Sequence, residues 1–121
     1  MTRKIIFSLM FLLAFLMMGC EKQSHTVRYE IDGTAPTIGT NYKNGTNGNE
    51  SADVSAGWSK EFTVESYYHL HLAVTTKNSS GSATCRIYVD GELAAEATAT
   101  GQFKRAACNN LPVPATPVPQ Q

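Results

Sequence analysis

The sequence lacks a charge excess of either sign: its 121 residues carry ten basic and ten acidic side chains. A protein that binds nucleic acid by neutralising phosphates shows a basic excess, so no nucleic-acid partner is expected. Cysteine is scarce, at three residues, and no Cys-x-x-Cys pair occurs, which removes the common zinc and thiol-redox motifs. No phosphate-cradling glycine loop and no nucleophile elbow is present. The carboxylates are scattered, with no pair set apart for acid–base work. A chain of this length makes one domain with little room for an enclosed cleft. The expectation is a protein that is not an enzyme and needs no cofactor. At 42% hydrophobic and 17% charged residues, the chain as a whole is not disordered either.

What is present begins with a leader. Arg3 and Lys4 precede an apolar run from Ile5 to Met18, broken only by Ser8. Fourteen residues at 1.5 Å per residue make about 21 Å of helix, short of a hydrocarbon core of about 30 Å. Residues 1–19 therefore read as a signal peptide. Leu16-Met17-Met18-Gly19-Cys20 resembles the bacterial lipoprotein processing site. That resemblance implies cleavage after Gly19, a thioether lipid on Cys20 and acylation of the new amino terminus. An uncleaved anchor with an incidental cysteine is the other reading. Processing would remove Arg3 and Lys4, leaving eight basic and ten acidic residues and a net charge of −2. Such a chain has no basic patch for anionic headgroups, so the lipid on Cys20 would supply the membrane attachment. Glu21, not aspartate, follows Cys20, which favours the outer membrane or the cell surface over the inner membrane.

Residues 20–25 read as the lipidated cysteine and a short polar tether. From Thr26 the apolar pattern has period two. Val27, Tyr29 and Ile31 alternate with Arg28, Glu30 and Asp32 up to Gly33. Further strands are expected around Thr37–Tyr42, Asp53–Ser55, Lys60–Glu65, Tyr68–Thr76, Cys85–Val89, Leu93–Ala97 and Phe103–Cys108. Asn44-Gly45, Asn47-Gly48 and Asp90-Gly91 are hairpin signals. Glu92–Ala97 is rich in helix formers, but it follows a turn directly and is short, so it too reads as strand. Seven or eight short strands without a helix predict an all-β fold, a small antiparallel immunoglobulin-like β-sandwich over residues 26–110. Residues 111–121 hold four of the five prolines and read as a Pro-rich disordered tail.

Cys85 and Cys108 enclose 22 residues. In a disulfide-permissive envelope they read as a structural bridge, worth about 3 kcal/mol by loop-closure entropy. A catalytic thiol or a metal ligand is the alternative. His69 and His71 stand two apart on a strand, so both rings could face one ion, but no third ligand is identifiable and His25 is remote in sequence. They are weak metal candidates, and exposed strand histidines are the plainer reading. Trp58 reads as core; exposed beside Tyr67 or Tyr68, it would instead mark a recognition surface. Asn44-Gly45-Thr46, Asn49-Glu50-Ser51 and Asn78-Ser79-Ser80 match the glycosylation sequon but read as loop composition.

Several motifs together point to a family. Val27-x-Tyr29-Glu30-Ile31-x-Gly33-x-Ala35 opens the domain, and Trp58-Ser59-Lys60 follows. Then come Thr84-Cys85-Arg86-Ile87-x-Val89-Asp90-Gly91, Thr100-Gly101-x-Phe103 and Cys108. From Thr26 to Cys108 the chain resembles the small mycobacterial membrane protein family, MmpS, and its wider bacterial relatives. The resemblance implies a β-sandwich facing the periplasm, with Cys85 bonded to Cys108. It further implies a non-catalytic accessory role to exporters of the resistance–nodulation–division (RND) class, of MmpL type, which move siderophores or lipids. Family members usually keep an N-terminal transmembrane helix, whereas this chain carries a lipoprotein signal; Gly57 stands before Trp58 where the family often has proline. The competing expectation is a stand-alone module that binds a small hydrophobic ligand or a protein partner on a face or between loops.

Overall fold

A computed structural model describes residues 23–114, apart from the side chain of Asn110. The expected signal peptide, the expected lipid site Cys20 and the residues beyond Pro114 lie outside the described residues. Eight strands are formed: β1 (Ser24–Asp32), β2 (Ile38–Lys43), β3 (Asn49–Val54), β4 (Trp58–Glu65), β5 (His69–Thr75), β6 (Ser82–Val89), β7 (Glu92–Thr100) and β8 (Arg105–Pro112). They make two antiparallel four-stranded sheets, ordered β4-β1-β6-β7 and β3-β2-β5-β8, so the all-β sandwich expected from the periodicity is what the chain forms. Its likeness to an immunoglobulin domain is one of architecture, because the strand order differs. Only β2–β3 and β6–β7 are hairpins; every other link crosses from one sheet to the other.

The β6–β7 hairpin turns on Asp90 and Gly91, both at positive φ (52° and 83°), the backbone of a type I′ turn. That turn explains why Glu92–Thr100 is a strand despite its helix formers: the chain is returned onto β6 before a helix can nucleate. The link from β1 to β2 is laid tightly against β6, with the amides of Thr34 and Ala35 both donating to the Ser82 carbonyl (3.1 and 3.0 Å). Gly33 makes this approach possible. Its φ is +142°, and a Cβ there would stand 2.2 Å from the Ser82 oxygen.

Alternate residues of each sheet meet between them. Val27, Tyr29 and Ile31 of β1, Ile38 and Tyr42 of β2, Leu70, Leu72 and Val74 of β5, and Ala83, Cys85 and Ile87 of β6 are all buried. Burying each of the larger side chains stabilises the fold by about 1.5–3 kcal/mol. Tyr29 is wholly buried, and its hydroxyl donates to the Lys43 carbonyl at 2.8 Å, tying β1 to β2. Its ring meets Phe62 and Tyr42 edge-on, at 5.0 and 5.9 Å between centroids. No buried side-chain nitrogen or oxygen among the described residues lacks a partner.

The domain is longer at both ends than the residue pattern indicates. β1 begins at Ser24, and His25, placed in the tether by its polar neighbours, is 7% exposed. β8 runs to Pro112, and Val113 is 1% exposed, with backbone bonds to Tyr67 and Tyr68. The sheet thus takes in Leu111, Pro112 and Val113, which the proline content assigns to the tail. Proline is compatible with an edge strand, where its missing amide faces no partner. Phe103, expected to open the last strand, lies instead in a turn at φ 53° and is 70% exposed. β3 starts at Asn49, immediately after Gly48, so the hairpin closes four residues earlier than Asp53.

Candidate functional site

The outer face of the β3-β2-β5-β8 sheet carries a groove of about 490 Å³. Cross-strand register explains it. One row runs Asp53–Gly39–Thr75–Arg105 and the next Ser51–Asn41–Ala73–Ala107. Small side chains at Gly39, Ala73 and Thr75 make the floor, and longer polar ones on β3 and β8 make the walls. Asn41 Nδ2 donates to Ser51 Oγ at 2.8 Å. Lys77 reaches over Gly39 to pair with Asp53. Arg105 has no ion pair or side-chain hydrogen bond among the described residues.

The other sheet's outer face differs. There Arg28 bonds Glu30 at 3.0 Å and stacks over Tyr88, and Arg86 bonds Glu96 at 2.6 Å with Asp32 behind it at 3.9 Å. Those charges satisfy one another. Among the described residues only the groove holds an uncompensated guanidinium, whose planar fork suits a carboxylate or phosphate. This signal was unreadable beforehand, because Arg105 and Asp53 are ordinary charged residues until the register aligns them.

At the pole where the chain enters, three elements meet in a hydrogen-bonded chain. His25 Nδ1 lies 2.7 Å from Asp90 Oδ2, and His25 Nε2 lies 3.0 Å from Ser66 Oγ. An ionised carboxylate only accepts, so Nδ1 carries a proton toward Asp90. Asp90 also accepts from the Thr26 amide at 3.0 Å. The His25 bond, then the Thr26 bond, hold the Asp90 carboxyl below the usual carboxylate range. The sequence of groups is that of a serine nucleophile, its base and an orienting acid. The rest of such a site is missing. The Ser66 amide donates to the Gln23 carbonyl (3.1 Å) and the Tyr67 amide to Val113 (2.7 Å). The two donors nearest Ser66 that would stabilise an oxyanion are therefore occupied. The arrangement instead fastens β1 to the β4–β5 and β6–β7 turns.

Cys85 on β6 and Cys108 on β8 face each other across the sandwich, both buried, with their sulfurs 2.9 Å apart. Their contact lowers the Cys85 thiol and raises that of Cys108, which burial raises further. Cys85 is thus the sulfur that ionises first. Both sulfurs sit in the core, where cysteines are ordinarily unreactive.

The remaining candidates are dispersed. Trp58 is half-buried and tilts against Tyr42 at 5.3 Å, closing the rim of the aromatic cluster around Tyr29. Tyr67 is 83% exposed. Tyr68 is half-buried beneath Lys43, whose Nζ lies 4.5 Å above its ring; its hydroxyl donates to the Asn44 carbonyl and accepts from the Asn47 amide at 2.8 Å. Trp58 opens β4 and Tyr67 lies in the turn beyond its far end, so these two rings do not adjoin. His69 is exposed and His71 half-buried, with a bulge in the β5–β8 register between Leu70 and Leu72. Among the described residues no three His, Cys, Asp or Glu side chains group to hold an ion. Compared with known proteins, the chain matches no family model and no curated sequence.

Proposed function

We propose that this chain is a non-catalytic accessory domain of the bacterial cell envelope. It is held to the membrane by a lipid on Cys20 and acts beside an RND-class exporter of siderophores or lipids. The observation that carries this reading is the location of the motif residues behind the MmpS resemblance. Tyr29 ties the two sheets, Gly33 permits the close crossing at Ser82, Cys85 faces Cys108, and Asp90-Gly91 turns the hairpin. The shared pattern is one of fold, and none of it converges on a reacting centre. The groove at Arg105 supplies a face on which a partner can dock, with an acidic or phosphorylated contact opposite the guanidinium. The same groove shapes the second reading, a stand-alone binding module. The free guanidinium of Arg105 at its edge suits an anionic ligand, and the small apolar residues Gly39, Ala52 and Ala73 suit a hydrophobic one.

Capture from crosslinked envelope tests the proposal. A photo-crosslinking side chain placed at Ser51, an exposed groove position, is expected to recover an exporter subunit. Recovery of no exporter from a folded, membrane-bound protein contradicts it.

A further inference from the structure

We infer that the pole built from Gln23, the β4–β5 turn and the β6–β7 turn lies on the bilayer that holds the chain's own anchor, with Tyr67 at headgroup level. The inference rests on the lipid at Cys20 read above and adds the orientation of the domain. Two residues, Glu21 and Lys22, stand between Cys20 and Gln23, so three Cα–Cα steps limit their Cα atoms to about 11 Å apart. Gln23 is not free to wander from the sandwich, because its carbonyl accepts from the Ser66 amide at 3.1 Å. Tyr67 is the next residue. A lipid on Cys20 therefore brings Tyr67 to the membrane surface whatever path the two linking residues take.

Tyr67 is suited to that place. It is one of two large hydrophobic side chains among the described residues that the fold leaves exposed, at 83%. It is held outward at φ 72°, a conformation a β-unbranched aromatic seldom adopts, by the bond from its amide to Val113. A tyrosine at a bilayer surface places its ring against the acyl boundary and its hydroxyl among the headgroups. Lying on a sheet face instead would press Arg28, Glu30, Arg86 and Glu96, or Asp53, Lys77 and Arg105, against lipid, at a desolvation cost the pole avoids. Asp90 and Glu92 beside the pole are acidic, so the contact is with neutral headgroups and does not depend on salt. The other exposed aromatic, Phe103, lies in the turn before β8, at the end of the sandwich away from Gln23. It then points away from the membrane, and the groove faces sideways.

The test uses the native lipoprotein, extracted from membranes and reconstituted in phosphatidylcholine vesicles doped with a diazirine-bearing phosphatidylcholine. Peptide mass spectrometry after illumination reads both the Cys20 modification and the sites of lipid adducts. The expected result is a lipid on Cys20, with adducts at residues 66–68 several-fold above those at residues 101–104. A lipid on Cys20 with labelling at 66–68 no greater than at 101–104 overturns the orientation while the anchor stands. An unmodified Cys20 overturns both.

Discussion

His25 and Asp90, 65 residues apart, are joined by a 2.7 Å bond between Nδ1 and Oδ2. That bond fastens the start of β1 to the hairpin between β6 and β7. Ser66 completes the fastening on the other side of the imidazole. The start of β1 is thereby fastened to two turns at once.

This relationship sets a pH dependence. The Asp90 carboxyl is depressed in the folded state, chiefly by His25. A depressed carboxyl stabilises the fold above its unfolded value of about 3.9, and that contribution is lost as pH falls through the folded value. Asp90→Asn keeps a residue that tolerates the positive φ of the turn while removing the charge. Denaturant titrations from pH 7 to pH 3 are expected to show a shallower acid decline for the variant. Because Asp90 is more than half exposed, the difference is about 0.5 kcal/mol or less after solvent screening.

The cysteines make a second prediction. Oxidation joins Cys85 to Cys108 and staples β6 to β8 across the two sheets. Closing a loop of 22 residues is worth about 3 kcal/mol on the chain-entropy model. Thermal melts of protein from the envelope are expected to fall on adding reductant, and Cys108→Ala is expected to abolish the reductant effect. Two free thiols in the denatured, unreduced protein would contradict the bridge.

Glycine positions separate space from conformation. Gly33→Ala drives a Cβ into the Ser82 carbonyl and is expected to destabilise by about 2–4 kcal/mol, since backbone must move. Gly57 has positive φ but open space around its Cβ position, so Gly57→Ala is expected to cost about 1 kcal/mol. Equal effects from urea titration would mean that the crossing at Ser82 is not as tight as described.

The resemblance of Ser66, His25 and Asp90 to a catalytic triad is directly testable. With the amides of Ser66 and Tyr67 bonded to Gln23 and Val113, no donors adjoining the serine wait for a developing oxyanion. A fluorophosphonate probe is expected to leave Ser66 unlabelled in the folded protein. Stoichiometric labelling that Ser66→Ala abolishes would make the domain an enzyme.

Much of the fold was legible as a linear pattern. Period-two alternation marked the strands because each lies half-buried between core and solvent. Asp90-Gly91 marked its hairpin because few residue pairs accept two positive φ angles. Tyr29 was legible as core, but its bond to Lys43 was not. What stayed hidden depends on partners far along the chain. His25 looked like tether because its partners, Ser66 and Asp90, come from later turns. Val113 looked like tail because proline content masks a buried valine between two of them. The groove needed the register of four strands to bring Asp53, Lys77 and Arg105 onto one face. The exposure of Tyr67 followed from its positive φ, which no local residue pattern announces.

The account's central claim is that an anchored, non-catalytic domain supports export across the envelope. Deleting the chain from its host and measuring siderophore or lipid released to the medium tests this most directly. The account predicts reduced release, restored by the native chain and not by Cys20→Ala. Release unchanged by the deletion would contradict it.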